Sequence, residues 1–402
     1  MSTNTTHATP AAAPVILSYG LGVDSTAILL RWLLEPETRD FDLANLVVLT
    51  AQTGNEWPET GRLVEQHIYP LLREHGIRTV QVARATSSQS DGITILGDTR
   101  TPERCYIAGA YTLAEEMFAA GTVPQTGGAR LCSVKSKGWC LDQWIKNHTQ
   151  GGPHRHVIGF EAEEMRRVLR DSQLGLPGRI PSYPLVEWGW TRQTCEDYIL
   201  AHLGVAWPKS ACSFCPYALT SQAGLERTLT RYIAHPEEAM LPLLMEHIAV
   251  ALNPRQGLIA GDRLADALVA RPDAGPLLAA FDAHLDAQPW TVYEVKRAFR
   301  AHPDDMMRPA NAVRSLQRLA ELDGTRTDAL NRLNLLADLH ETPVEHDGAH
   351  RRVWLRHRNI YYPCAEHALV AAPALVPDKV GPGFDTAWDT AQRGPSQLSL
   401  LT

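Results

Sequence analysis

A short apolar run, a glycine-containing turn and an apolar helical pattern follow one another near the start of the chain. Val15-Ile16-Leu17 is the apolar run, Gly20 and Gly22 lie in the turn, and residues 26–34 repeat apolar side chains at helical spacing. Glycine lets backbone N–H groups approach an anion closely, and a helix start presents N–H groups that lack intrahelical acceptors. The feature predicts a strand–loop–helix unit with an anion-binding turn. A tight turn with a capping serine is the alternative.

Further strands and helices alternate after this unit. Residues 43–50 are an apolar run typical of a buried strand, and residues 79–82 indicate a third strand. Residues 59–75 have helical periodicity, and residues 156–160 indicate another strand. Strands that alternate with helices are typical of a parallel sheet. We therefore predict an α/β fold, with a parallel twisted sheet and helices on both faces.

The turn carries polar side chains that suit a phosphate group. Ser18, Ser25 and Thr26 offer hydroxyl donors, and Asp24 offers a carboxylate that holds a divalent ion or orders the loop. The Lys-Ser/Thr ending of a Walker loop and the glycine spacing of dinucleotide-binding turns do not occur here. The turn alone predicts an anion site and no particular nucleotide.

The segment Gly20-Leu21-Gly22-Val23-Asp24-Ser25 resembles the PP-loop of the adenine nucleotide alpha hydrolases, whose pattern is Ser-Gly-Gly-x-Asp-Ser after the first strand. Gly20 stands where the pattern has serine, and Leu21 stands where it has glycine. Ser18 is placed to supply the hydroxyl that the pattern's first residue provides.

Four more segments resemble the PAPS-reductase-like branch of that superfamily, in the same order. Residues 53–60 resemble its Asp-Thr-Gly-x-Glu-Phe-Pro-Glu-Thr, with Gln52 in place of the aspartate. Residues 130–137 resemble its Arg-x-Cys followed by a lysine, and residues 159–167 its Gly-Ile-Arg-x-x-Glu-Ser-x-x-Arg, with Glu161 replacing the arginine. Residues 184–188 resemble its Pro-Leu-x-x-Trp. The resemblance covers about residues 15–220.

The resemblance implies that ATP or a related adenine nucleotide binds with Mg²⁺ in a cleft at the carboxyl ends of the strands. It also implies attack of a substrate oxygen on the α-phosphate, with release of pyrophosphate. We expect catalytic roles for Asp24, Lys137 and Arg167. The expected nucleotide contacts are Ser18, Gly20, Gly22, Val23, Asp24, Ser25, Thr26, Thr53, Gly54, Glu56 and Gly159.

The segment Cys212-Ser213-Phe214-Cys215-Pro216 has the spacing at which two thiolates ligate one metal or cluster. A redox pair and a buried, inert pair are the alternatives. The resemblance implies that Cys132 joins the pair around a [4Fe-4S] cluster. Cys140 is a weaker fourth ligand, because an intervening helix would place it about 12 Å from Cys132. Zinc is the alternative metal.

The character of the chain changes beyond Pro216, where amphipathic helical segments with breaks such as His302-Pro303 continue to about Leu339. We predict a disordered tail over residues 1–13, a nucleotide-binding catalytic domain over 14–220, a mostly helical region over 221–345 and a C-terminal region with a loose tail over 346–402. No run of about 18 apolar residues predicts a membrane span, and the first residues lack the pattern of a signal peptide. We therefore expect a cytoplasmic location and no membrane partner.

Three functions fit these features. The first is an ATP-using enzyme of sulfur transfer or nucleic-acid modification, with RNA or DNA as substrate and a sulfur-donor protein as partner. The second is a sulfonucleotide reductase, although its C-terminal Glu-Cys-Gly-x-His motif does not occur after Cys364. The third is a non-catalytic nucleotide-sensing module of a phage or defence system.

A basic segment near the C-terminus bears on the nucleic-acid prediction. Residues 351–358 hold four arginines interleaved with Trp354, a pattern that suits a nucleic-acid backbone and its bases. An amphipathic strand that displays its charges is the alternative. The net charge of −7 opposes binding to nucleic acid by overall attraction, so only a local patch would serve.

Overall fold

The computed structural model describes residues 13–127, 130–319 and 323–394. The chain divides into two compact units. The first comprises the residues up to 114 together with 127–213, and the second comprises 115–126 together with the residues from 214 onward. Segment 115–126 thus belongs to the second unit, although it lies inside the range predicted for the first domain.

A six-stranded sheet forms the centre of the first unit. Its strands, in spatial order, are β4 (Ile93–Thr99), β3 (Arg78–Arg84), β2 (Leu46–Ala51), β1 (Val15–Ser18), β5 (His154–Ile158) and β6 (Arg179–Ser182). All neighbours pair in parallel except β3 and β4, which are antiparallel. The predicted α/β fold with a mostly parallel sheet is confirmed.

Helices cover both faces of this sheet. The helices that begin in the first unit are α1 (Val23–Leu34), α2 (Pro58–Leu63), α3 (Tyr69–Glu74), α4 (Leu113–Ala120), α5 (Leu131–Ser133), α6 (Trp139–Thr149), α7 (Met165–Ser172), α8 (Pro184–Glu187) and α9 (Arg192–Leu203). Leu17 packs with α1 and α9 on one face, and Ile16 packs with Trp144 of α6 on the other. Burial on both faces explains why β1 is a continuous apolar run.

The strand order reverses direction beside β1. The chain runs outward from β1 through β2 to β3 and later returns to place β5 on the opposite side of β1. The connection after β1 therefore leads toward one edge of the sheet, and the connection after β5 leads toward the other edge. Such a switch point leaves a crevice, and open α/β sheets bind ligands there.

The second unit combines helices with an antiparallel sheet. The helices are α10 (Gln222–Ala234), α11 (Pro236–Leu252), α12 (Leu264–Val269), α13 (Gly275–Asp286), α14 (Arg326–Leu339) and α15 (Phe384–Arg393). The strands, in spatial order, are β12 (Lys379–Val380), β8 (Asp305–Arg318), β7 (Trp290–His302), β11 (Cys364–Pro373), β10 (His350–Arg356) and β9 (Val344–Asp347). None of the helices in the described part of the chain has the length and apolar character needed to cross a bilayer.

The prediction of a mostly helical region over 221–345 is wrong for residues 290–318. These residues form the long hairpin of β7 and β8, and Pro303 lies in its turn rather than between two helices. The β-branched and aromatic side chains Val292, Tyr293 and Val295 favour a strand. Ten consecutive pairs join β7 to β11, and this long-range pairing overrides the local helical spacing.

Candidate functional site

The loop after β1 turns sharply into α1. Leu21 adopts φ +60, in the left-handed region, and Gly22 is the extended N-cap residue of α1. The family pattern has glycine at the position of Leu21, and a positive φ explains that preference. Here a leucine accepts the unfavourable backbone conformation, and its side chain is almost fully buried. The predicted strand–loop–helix unit is thus present, with a strained residue at the turn.

The first turn of α1 has no side-chain cap. Gly22 makes no capping hydrogen bond through a side chain, and the Ser25 hydroxyl accepts from the N–H of Gly20 at 3.2 Å. The helix start therefore keeps backbone N–H groups that an anion can accept from, at the positive end of the helix dipole. Val23 and Thr26 point into the core. The Thr26 hydroxyl bonds to the hydroxyl of Tyr19 at 3.1 Å, so it serves the core rather than the loop.

The loop after β5 approaches the start of α1. A Cβ on Gly159 would lie 3.1 Å from the Ser25 backbone nitrogen and 3.2 Å from the Asp24 Cβ. Only glycine allows this approach without a backbone shift. The ends of β1 and β5 therefore bring Gly159, Asp24 and Ser25 together at the switch point. Their role as nucleotide contacts stays a prediction.

Asp24 is the half-buried acid of this crevice. Its Oδ2 accepts from Arg192 Nη2 at 2.8 Å, whereas its Oδ1 is buried without a hydrogen-bond partner. Burial raises the pKa of Asp24 to about 6, although the Arg192 charge opposes that shift. The charges of Glu161, Glu164 and Arg167 also act on this carboxyl. Asp24 is thus a carboxylate that lacks part of the positive charge needed to stabilise it.

Arg192 was not anticipated from the sequence. It is the first residue of α9, whose N-cap Thr191 accepts from the Thr194 N–H. The Arg192 backbone N–H donates to Glu161 Oε2 at 2.5 Å. Glu161 stands where the family pattern has an arginine, so here an acid anchors the helix that carries the cation. The predicted Arg167 donates to Glu164, and its guanidinium lies 4.4 Å from the ring centre of Phe160.

A tryptophan and a serine hold the outer side of the loop. Trp207 Nε1 donates to the Leu21 carbonyl at 3.0 Å, and Ser210 Oγ donates to the Gly20 carbonyl at 2.8 Å. A Cβ on Gly22 would lie 2.8 Å from Ser210 Oγ. These contacts fix the backbone of the loop, and nothing in the spacing of residues 207–210 predicted them.

A second polar cluster follows β2, the neighbour of β1. Thr53 Oγ1 lies 3.2 Å from Cys212 Sγ, and Glu56 pairs with Cys212 in an isolated antiparallel bridge. Lys137 Nζ donates to Glu56 Oε1 at 2.8 Å, while Glu56 Oε2 is buried without a hydrogen-bond partner. Gly54 adopts φ +87, and its N–H donates to the Ile107 carbonyl. The predicted residues Thr53, Glu56 and Lys137 therefore share a cluster with one predicted metal ligand.

The cysteines predicted to bind metal have different surroundings. Cys212 contacts Thr53 as described, and Cys132 lies half-buried in α5. Cys140 is fully buried among apolar side chains of the sheet and α6, where burial raises its pKa to about 11. Residues 131–149 are helical throughout, which is the arrangement that separates Cys132 from Cys140. Cys140 therefore has the environment of a core side chain.

A metal or cluster site needs several donor side chains close together. Among those residues, no group of three or more His, Cys, Asp and Glu side chains is arranged to hold a metal ion. Both the [4Fe-4S] cluster and the zinc ion need several ligands, so both stay predictions. Cys215, which belongs to the second unit, stays a predicted ligand.

The basic segment of residues 351–358 lies mostly in β10. Arg352 is almost fully buried, donates to Asp347 Oδ2 at 2.9 Å, and also donates to the carbonyls of Val250 and Ala251 at the end of α11. The Arg358 guanidinium lies 4.2 Å from the ring centre of Phe299. The charge of Arg352 is therefore used inside the second unit, which matches neither a nucleic-acid patch nor a strand that displays its charges.

Comparison of the chain with models of known protein families, with curated proteins and with solved structures found no match in any of the three.

Proposed function

We propose that the first unit is a PP-loop-type enzyme that binds Mg·ATP, or a related adenine nucleotide, at the crevice between the loops after β1 and β5. The reaction is attack of an acceptor oxygen on the α-phosphate, with release of pyrophosphate. The acceptor class is RNA or DNA, as expected from the resemblance. The start of α1 beside Gly159 is the observation that carries this proposal.

The start of α1 combines three properties that suit a polyphosphate. It lies at the switch point of a parallel sheet, it has no side-chain cap, and the loop after β5 approaches it at van der Waals distance. Backbone N–H groups and the helix dipole together favour phosphate at such a position. These three properties do not depend on Gly20 and Leu21, the two residues at which the loop departs from the PP-loop pattern.

The partnerless oxygen of Asp24 supports a divalent cation bound with the nucleotide. Mg²⁺ is commonly held by one or two carboxylates together with substrate phosphates, so Asp24 Oδ1 fits that role. The cation would neutralise charge on the phosphates. It would also favour the ionised form of Asp24, whose pKa burial raises.

Two cations of the chain have parts in the proposed reaction. Arg192 adjoins Asp24, and a guanidinium matches the oxygens of a phosphate group with two parallel hydrogen bonds. Lys137 adjoins Glu56 beyond the end of β2, where it can stabilise negative charge on the acceptor or on the leaving pyrophosphate. Glu56 would hold the acceptor or its proton.

Calorimetric titration with ATP, with and without Mg²⁺, tests binding. We expect Asp24→Asn to weaken Mg·ATP binding by about 10- to 100-fold, the effect of losing one interaction with a charged group. Asp98→Asn is the matched control, because Asp98 also pairs with an arginine but lies on the edge strand β4. Wild-type protein that binds no ATP at millimolar concentration would refute the proposal.

A non-catalytic nucleotide-sensing module is the second candidate. Glu161 favours it, because an acid replaces the arginine of the family pattern and removes one cation from the crevice. Release of pyrophosphate from ATP in the presence of RNA or DNA separates the two candidates. Binding without release would support the module, and release that depends on Asp24 would support the enzyme.

A further inference from the structure

A chain of hydrogen bonds runs from Asp171 to the last residue of β1. Arg179 donates from Nη2 to Asp171 Oδ2 at 2.6 Å and from Nε to His156 Nδ1 at 2.9 Å. His156 Nε2 lies 2.7 Å from Ser18 Oγ. Tyr183 also donates to Asp171 Oδ2, at 2.6 Å. The chain therefore crosses from α7 through β6 and β5 to β1.

The direction of every bond in this chain follows from its chemistry. An arginine side chain has no acceptor, so His156 Nδ1 must accept and carries no proton. A neutral imidazole then carries its proton on Nε2, which donates to Ser18 Oγ. Burial lowers the pKa of His156 to about 3, so the ring is neutral at physiological pH. Ser18 thus accepts from His156 and keeps its own hydroxyl proton for another acceptor.

The position of Ser18 at the end of β1 suits its hydroxyl proton for contact with a ligand. Ser18 ends β1 at the switch point, immediately before the loop that leads to α1. His156 is its hydrogen-bond partner in the described ranges, and Ser18 as a residue is half-buried. Arg179 and His156 are themselves almost fully excluded from solvent. Buried polar groups need fixed partners, so this chain of hydrogen bonds has a fixed orientation.

We propose that His156 is a positioning residue that fixes the Ser18 hydroxyl as a hydrogen-bond donor toward an oxygen of the bound nucleotide. This inference rests on the proposed function, since it names how that same crevice recognises its ligand. Arg179 and Asp171 act through His156 by setting its tautomer. A serine hydroxyl that accepts from His156 keeps its own proton, and that proton favours an acceptor such as a phosphoryl oxygen.

The surroundings of His156 allow substitutions that test this role. His156 and Arg179 line a cavity of about 820 Å³ between α6 and the strands β5 and β6. His154 lines the same cavity from the same strand and is equally buried, but its ring bonds to the Gly152 carbonyl instead of Ser18. Both histidines border this cavity, so a leucine at either position need not displace packed side chains on the cavity side. His156→Leu also removes the acceptor of Arg179 Nε. His154 provides a matched control.

Titration of Mg·ATP into variants of the full chain tests the coupling. We expect Ser18→Ala and His156→Leu each to weaken binding about tenfold, and the double variant to bind no more weakly than either single variant. We expect His156→Gln, which keeps an N–H near the Nε2 position, to recover most of the affinity, and His154→Leu to bind as wild type. Additive losses in the double variant, or an equal loss in His154→Leu, would overturn the inference. So would unchanged affinity of His156→Leu with a native circular dichroism spectrum.

The imidazole tautomer provides a readout that does not depend on ATP. ¹⁵N NMR of histidine-labelled wild-type protein should show His156 neutral and protonated on Nε2. A ring protonated on Nδ1 would overturn the inference even if ATP binds. If the wild-type protein binds no ATP, the proposed function fails and the role of the Ser18 proton fails with it. The tautomer of His156 then shows whether the chain of hydrogen bonds is correct. A failure of the proposed function is thus distinguished from a failure of the hydrogen-bond chain.

Discussion

Arg192 donates to only one oxygen of Asp24, at 2.8 Å, and leaves the other carboxylate oxygen buried without a partner. The two residues lie 168 positions apart in the chain, so the fold rather than local sequence brings them together. A buried carboxylate with one unused oxygen costs stability, because desolvation disfavours its charged form. Such an arrangement is typical of a site that gains its missing partner when a ligand binds.

Asp24→Asn should stabilise the ligand-free protein at neutral pH. The pKa of Asp24 is about 6 in the folded state and about 3.8 without burial, so the folded state holds the extra proton between these values. The stability that Asp24 contributes is therefore full below about pH 4 and is lost as the pH rises to 6. We expect the variant to gain up to about 3 kcal/mol at pH 7 and nothing at pH 4, measured by urea unfolding.

The control for this prediction is Asp98→Asn. The hydrogen bond from Arg78 lowers the pKa of Asp98, so this carboxylate favours the folded state when it is ionised. The control should lose stability at neutral pH, opposite in sign to Asp24→Asn. Equal losses in both variants would show that Asp24 is an ordinary ion-pair partner.

Gly159→Ala should disturb the crevice. The added Cβ would lie 3.1 Å from the Ser25 backbone nitrogen, and backbone atoms cannot move aside as freely as a side chain. We expect a loss of about 1–3 kcal/mol in the free energy of unfolding, the range of overpacked sites, and weaker Mg·ATP binding. Gly175→Ala meets no atom within 4 Å and should be neutral in both measurements. Unchanged Mg·ATP binding in Gly159→Ala would show that the loop after β5 is not part of the proposed nucleotide site.

Leu21→Gly introduces the glycine that the PP-loop pattern has at this position. The substitution has two opposing effects on stability. Relief of the positive φ favours the variant by about 1–2 kcal/mol. Loss of a buried leucine side chain costs about 2–5 kcal/mol, which exceeds the gain from relieving the backbone strain. We expect net destabilisation of about 1–3 kcal/mol in thermal or urea unfolding. A variant more stable than wild type would mean that the strain at Leu21 exceeds the packing contribution of its side chain.

The parts of the site that lie close together in sequence could be predicted. The apolar run of β1, the glycines of the turn and the period of α1 are local signals, and they placed Gly22, Asp24 and Ser25 correctly at a strand–helix junction. The alternation of strands and helices likewise predicted a parallel sheet, because sequence spacing determines that topology.

The partners of those residues could not be predicted. Arg192, His156 and Trp207 reach the loop through the packing of distant strands and helices, and no local spacing marks them. The hairpin of β7 and β8 was missed for a related reason. Its spacing of apolar residues also suits a helix, and only pairing with β11 decides between the two.

Acidification should destabilise the second unit through two stacked histidines. His247 and His350 lie 4.5 Å apart by ring centres. Burial lowers the pKa of His350 to about 4 and that of His247 well below its usual value. The unfolded chain binds these protons near pH 6.5, so stability is full above that pH and is lost as the pH falls toward 4. In His350→Gln, the free energy of unfolding in urea should change less with pH between pH 6.5 and 4.5 than in the wild type. An unaltered slope would mean that other groups cause the pH dependence.

Lys137→Met should show whether the cluster after β2 depends on charge balance. The variant keeps an apolar stem but leaves the Glu56 carboxylate buried without the partner of its Oε1. The Glu56 side chain is buried but that of Lys137 is 33% exposed, so the loss should be about 1–3 kcal/mol, below the cost of breaking a fully buried pair. The double variant Lys137→Met with Glu56→Gln removes that charge and should recover most of the loss in urea unfolding. Equal stabilities of the single and double variants would mean that another group compensates the Glu56 carboxylate when Lys137 is absent. Pyrophosphate release should fall in both variants, because each removes the cation that the proposed reaction places beside the acceptor.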